Sequence, residues 1–256
     1  MTMMDSRVAE RRKGVSEDKA RKRLRWILGV LAAVLVVVGS FWLIRSPVLS
    51  IRTVEITGAV QTDPAAAIST LGIGLGTPTI DVDGGQIATA IGADPWIDDV
   101  VVSVLWPGTL VVDVAEHVPF VAVQRGDGWV WASVDGAIIE AAPSPVAGQS
   151  VVAIDLAATA IGETTTDRRI LGGITFLASL PRDLAVDAVI TAEDDAVWAV
   201  VEGHDIRLGR PVDMETKAAV LTQLIASGID ADASIDLIAP LRPAVANPRP
   251  QQEVEE

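Results

Sequence analysis

Cysteine is absent from this chain, and histidine occurs only twice among 256 residues, as His117 and His204. The first absence excludes a disulfide framework, thiol catalysis and cysteine-ligated zinc. A chain of this length can bury an adequate core without cross-links. The shortage of histidine leaves little material for acid–base chemistry. There is no G-x-S-x-G elbow, so any Ser-His-Asp triad would be a free choice among scattered serines and aspartates. His117 lies at the end of a hairpin strand and His204 in a turn, and both are predicted to be solvated. Basic residues are scarce outside the first 25 positions. With a net charge of -14, the chain is a poor match for nucleic acid, which wants clustered Lys and Arg. No fixed-period repeat is present.

What is there begins with a charge asymmetry. Residues 1–25 hold nine basic and four acidic groups, or +5, which leaves -19 for the other 231. A basic head on an acidic body points to two solvent compartments. Between them lies WILGVLAAVLVVVGSFWLI, Trp26–Ile44, without a charge or a proline. As a helix it is about 28 Å long, close to a bilayer's hydrocarbon core of about 30 Å. Trp26 and Trp42 stand near its ends, with Arg23, Arg25 and Arg45 flanking, so these five are the expected membrane-interface residues. The Lys/Arg excess precedes the segment, which places the N-terminus in the cytoplasm and the bulk outside. A cleaved signal peptide would have a shorter apolar region, of about 7–15 residues, and a small-residue cleavage site. The basic head could also touch anionic lipid headgroups.

After the anchor, Ile51–Thr57 alternates as a half-buried strand that Gly58 ends. Asp63-Pro64 opens a short helix to Leu71, and Asp83 with Gln86 opens another over Gln86–Ile91. Ile97–Leu105 and Thr109–Ala115 flank Trp106-Pro107-Gly108 as a hairpin. The order β-α-α-β-β predicts a small α+β domain. Further on, Val118–Val123, Trp129–Ser133, Ala137–Glu140, Val151–Leu156, Val186–Thr191, Val197–Val201 and Ile206–Leu208 read as strands. Thr166–Leu180 and Met214–Ser227 read as helices, the second capped by Asp213. Ser234–Ile238 is predicted as the last strand, before a proline-broken tail. The fold class is therefore α+β: an N-terminal transmembrane helix, a β-α-α-β-β domain, then a mostly antiparallel β domain with flanking helices.

Local acidic motifs carry little chemistry. Asp98-Asp99 lies in a strand, where neighbours point to opposite faces. Asp81-Val82-Asp83-Gly84 begins like a calcium loop but lacks the later ligands, and capping accounts for it better. The Gly72, Gly74 and Gly76 run has no strand–loop–helix frame to make a phosphate cradle. No metal, cofactor or small-molecule substrate is expected.

In order along the chain, the basic head, the single anchor, VLSIRTVEITGAV, the glycine link, Pro95, the Trp106-Pro107-Gly108-Thr109-Leu110 turn, Glu116 and Pro119 resemble the bacterial cell-division family FtsQ/DivIB. WASVDGAIIEA, IRLGRPVDMETKAAVLTQLI and IDLIAPLRPAV extend the resemblance, although His117 stands where the family usually has Arg or Lys. The resemblance implies a tail at 1–25, a helix at 26–44, a POTRA-type domain at 48–117, a β domain at 118–245 and a disordered tail at 246–256. It also implies a non-enzymatic divisome scaffold at the septum, binding FtsB-like and FtsL-like coiled-coil proteins through the end of the β domain. On this chain the matching residues are Ile235, Asp236, Leu237, Ile238, Ala239 and Leu241. They are predicted to form a free-edged strand that accepts a partner strand. Pro240 and Pro243 remove two backbone donors there. Two alternatives are core burial of Ile235 and Leu237, and a POTRA-bearing chaperone for exported proteins. Truncation after Ala233 is the test that this reading suggests.

Overall fold

The computed structural model describes residues 6–44, 49–156, 159–230 and 233–246. The first element, α1 (Ser6–Ile44), runs unbroken for 39 residues, so the basic head is helical and continuous with the apolar stretch. Arg23–Trp42 is long and apolar enough to cross a membrane, with a mean hydropathy of 2.2, and none of it is buried.

A three-stranded sheet follows. It is built from β1 (Thr53–Thr57), β2 (Ile97–Leu105) and β3 (Thr109–Glu116) in the order β1-β3-β2. Between β1 and β2 come α2 (Pro64–Thr70) and α3 (Gly84–Ile91). Asp63 Oδ1 accepts from Ala66 N, and Asp83 Oδ1 accepts from Gly85 N and Gln86 N, so both expected caps form. The first strand starts two residues later than alternation suggests, because the N–H of Ile51 bonds to Thr77 O in the glycine link. Gly58 ends β1 at φ +83°, where a Cβ would sit 1.9 Å from Val114 O. Only glycine fits there.

The second sheet has nine strands in the order β12-β11-β10-β9-β8-β7-β4-β5-β6. In chain order they are β4 (Val121–Arg125), β5 (Gly128–Ala132), β6 (Ile138–Ala142), β7 (Val151–Ala153), β8 (Val189–Glu193), β9 (Ala196–Val201), β10 (His204–Gly209), β11 (Ser234–Asp236) and β12 (Ala244–Ala246). Five neighbouring pairs are antiparallel. The parallel pairs are β4–β7, β7–β8 and β10–β11. The longer helices of this region are α4 (Arg168–Ser179) and α6 (Met214–Ala226), with the short α5 (Arg182–Ala185) after α4. Ile170, Ile174, Phe176 and Leu177 of α4 and Ala218 and Leu221 of α6 join inward residues of the sheet in one core. Gly173 lets α4 approach the sheet, since a Cβ there would meet Ile190 Cγ2 at 2.8 Å.

Compactness divides the chain inside the smaller sheet. One unit is Met1–Ile56, Ile68–Ile87 and Val102–Val112; the other is Thr57–Ala67, Ala88–Val101 and Asp113–Glu256. Ile51, Ile68, Ile87, Leu110 and Val112 are buried in the first, and the large core lies in the second.

Four local expectations need correction. Asp213 precedes α6, but it sits at φ 55° and makes no side-chain cap. The β7 strand stops at Ala153, because Leu156 N leaves the ladder to bond Gln124 O. His204 is not a solvated turn residue: it is 4 % exposed, with Nδ1 3.2 Å from Ala233 O. The strand at 234–236 is not last and has no free edge, because β12 pairs with it.

Candidate functional site: the C-terminal edge of the large sheet

The chain reaches this edge by a crossover. From β10 it passes through α6 and returns parallel as β11, with Ile206 beside Ile235 and Arg207 beside Asp236. It then turns through Leu237–Pro243 and comes back antiparallel as β12, setting Val245 beside Ile235 and Ala244 beside Asp236. One lateral side of β12 therefore faces β11, and among the described residues no strand pairs with the other.

The six predicted contact residues separate by face. Ile235 and Leu237 are fully buried and belong to the large core. Removing them would take out core packing along with any contact surface. Asp236 points the other way, 3.7 Å from Arg207 Nη1, and Arg207 lies 5.5 Å from the centre of the Trp198 ring. Registry sets Trp198, Arg207, Asp236 and Ala244 side by side across β9, β10, β11 and β12. Such partly exposed ion pairs and cation–π contacts contribute modestly to stability, but they fix side-chain direction. Asp236 Oδ1 also accepts from Ile238 N at 2.9 Å, an Asx turn that ends β11.

Ile238, Ala239 and Leu241 lie in the turn. Ile238 is about half exposed and Leu241 is 88 % exposed. Together with Val245, 40 % exposed on β12, they put apolar side chains beside the unpaired edge. A depression lined by Asp213, Thr216, Ala239, Pro240, Leu241 and Arg242 adjoins them at the start of α6. The geometry suits an extended peptide, with backbone pairing along β12 and an apolar side chain against Leu241.

Beneath this edge, α6 carries Lys217, which is 1 % exposed. Its Nζ donates to Leu208 O at 2.7 Å and to Arg210 O at 3.0 Å, closing the end of β10. Burial pushes this ammonium below its ordinary pKa, and the charge of Asp213 partly opposes that. No sequence pattern singled out Lys217, since its acceptors come from the fold.

At the end of β3, Glu116 gathers the loop after β1. Its carboxylate accepts from the N–H groups of Val60, Gln61 and Thr62 and from the Thr62 hydroxyl. Burial alone would raise its pKa, but the Thr62 hydroxyl and those N–H groups hold it at about 2.

Of the expected interface residues, Arg23, Arg25, Trp26 and Trp42 are exposed on α1. Arg45 lies outside the described residues.

One helix of membrane-spanning length among the described residues, a β-α-α-β-β unit and a sheet-rich C-terminal region together define a POTRA-domain protein with an N-terminal apolar helix. Residues 49–117 match the POTRA domain, FtsQ-type. The chain is 30% identical over 109 residues to the cell division protein FtsQ of Corynebacterium glutamicum, across 42% of this chain and 48% of that protein, so it spans about half of that relative. It is 25% identical over 228 residues to FtsQ of Streptomyces venezuelae, across 86% of this chain and 83% of that one. Against FtsQ of Streptomyces bingchenggensis it is 25% identical over 244 residues, across 90% and 91%. The chain thus carries an FtsQ-type POTRA domain and is similar, across most of its length, to proteins named cell division protein FtsQ.

Proposed function

We propose that this protein is a non-enzymatic scaffold of the divisome that captures small bitopic coiled-coil partners, FtsB-like and FtsL-like, at the C-terminal edge of its large sheet. In this reading α1 crosses the cell membrane with its basic end in the cytoplasm, and the sheets work outside, at the septum. Residues 48–117 and 118–245 act as successive POTRA-type and β domains. The observation that carries the reading is the unpaired side of β12 beside the exposed Leu241. A strand edge gives backbone affinity, and flanking side chains give specificity. Capture by β12 replaces capture by Ile235–Leu237, which are already flanked on both sides.

The test follows from that replacement. Truncation after Ala233 would remove buried Ile235 and Leu237 and could fail for lack of folding alone. Truncation after Pro243 removes β12 and keeps β11. In mild detergent, the tagged full-length chain should copurify small coiled-coil membrane proteins, and the version truncated after Pro243 should lose them while remaining in the membrane. Retention by both would move the binding surface elsewhere. Loss by neither chain of a different set, exported unfolded proteins, would favour a chaperone.

A further inference from the structure

We propose that His117, Asp98 and Asp135 form a binding site for a divalent transition-metal cation of the zinc class. A ring nitrogen of His117 and one oxygen from each carboxylate all lie within 4.8 Å of one another. Nδ1 of His117 is 3.8 Å from Asp98 Oδ1 and 3.9 Å from Asp135 Oδ1. Both separations are too long for hydrogen bonds. Ligand atoms about 2.1 Å from a tetrahedral zinc ion lie roughly 3.4 Å apart. The two spans from His117 therefore exceed a bound geometry by about half an ångström, and the two carboxylate oxygens, within 4.8 Å of each other, close the rest by rotation of their side chains.

The parts that would have to move are the movable ones. The side chains of Asp98 and Asp135 are 57% and 54% exposed, whereas that of His117 is 11% exposed. The His117 backbone is pinned by its N–H to Trp96 O at 2.8 Å. Ser133 Oγ donates to Asp135 Oδ1 at 2.6 Å, the kind of supporting hydrogen bond that orients a ligating carboxylate. The three ligands come from different places in the chain: Asp98 from β2, His117 from just after β3, and Asp135 from the turn between β5 and β6. All lie in the same compact unit. One turn of acidic sequence could not produce this convergence.

Ligand chemistry sets the class of ion. Calcium wants six to eight oxygens and magnesium near-octahedral oxygen. One imidazole with two carboxylates suits zinc, cobalt or nickel better. Three protein ligands leave a fourth position for water. His204, the only other histidine, is buried with Nδ1 toward Ala233 O, so an imidazole-dependent metal signal reports His117.

The experiment uses the full-length chain in detergent, stripped with a chelator and then titrated with Zn²⁺ by calorimetry and with Co²⁺ by visible absorption. One-to-one saturable binding, unaffected by excess Mg²⁺, and a thermal midpoint raised by several degrees are expected. His117→Gln should abolish the Co²⁺ spectrum. Asp98→Asn, at an exposed strand position that leaves packing intact, should weaken binding by more than about tenfold. Either of two results overturns the site: no stoichiometric Zn²⁺ binding, or binding of the same strength in Asp98→Asn and His117→Gln. Its failure would leave the scaffold reading untouched, because that reading rests on β12.

Discussion

Thr62 donates twice to Glu116: its hydroxyl reaches Oε1 at 2.6 Å and its backbone N–H reaches the same oxygen at 2.9 Å. With the N–H groups of Val60 and Gln61, the carboxylate ties the β1–α2 loop to the end of β3. Glu116→Ala should lower stability by about 1–2 kcal/mol, since the freed groups are near enough to water for partial replacement. The sign with pH is definite. A folded-state pKa of about 2, depressed from 4.5, gives a contribution that is present above about pH 4.5 and lost as pH falls through that range toward 2. Thermal midpoints of the parent and Glu116→Ala should therefore differ at pH 7 and converge toward pH 2. A constant gap across that range would refute the clasp.

Gly58 makes a sharper prediction. Gly58→Ala places a methyl 1.9 Å from Val114 O at φ +83°, so β1 or β3 must shift. A loss of about 2–3 kcal/mol is expected, beyond the ordinary cost of a left-handed alanine. Gly72→Ala also stands at positive φ but meets nothing within 4 Å, and should cost only about 1 kcal/mol. Chemical denaturation of the two variants side by side separates collision from backbone strain.

Lys217 tests the frame that holds the end of β10. Lys217→Ala removes the donor for Leu208 O and Arg210 O and opens a cavity beside Leu221, for a loss of about 2–4 kcal/mol. Lys217→Met fills the space but leaves both carbonyls without their donor, and should lie between the parent and alanine. Equal stability of Lys217→Met and the parent would mean that the two hydrogen bonds contribute nothing net.

Where short-range chemistry decided the structure, the sequence was readable. The Ile97–Leu105 run and the Pro-Gly turn after it specify the β2–β3 hairpin locally, and Asp63 and Asp83 announce α2 and α3 by their own hydrogen bonds. Where a distant partner decided, it was not. Ala244–Ala246 is too short and too weakly β-forming to read as a strand, and becomes one because Ser234–Asp236 offers an edge. His204 looks like a turn residue and is buried because Ala233 O lies opposite, 29 positions on. The segment expected from the sequence to bind, Ile235–Leu241, lies within a few residues of β12, but which of its side chains face the core was not legible. Alternation of Ile235 and Leu237 fits burial and partner contact equally well until the neighbour on each side is known.

The unbroken course of α1 has a mechanical consequence. Thirty-nine residues at 1.5 Å each make a rod about 58 Å long, nearly twice the thickness of a hydrocarbon core. Its basic and apolar parts turn as one body, each residue fixed about 100° from the next. A protein that gripped the basic end would therefore set the azimuth of every apolar side chain up to Trp42. Twist, as well as tethering, can pass along this helix.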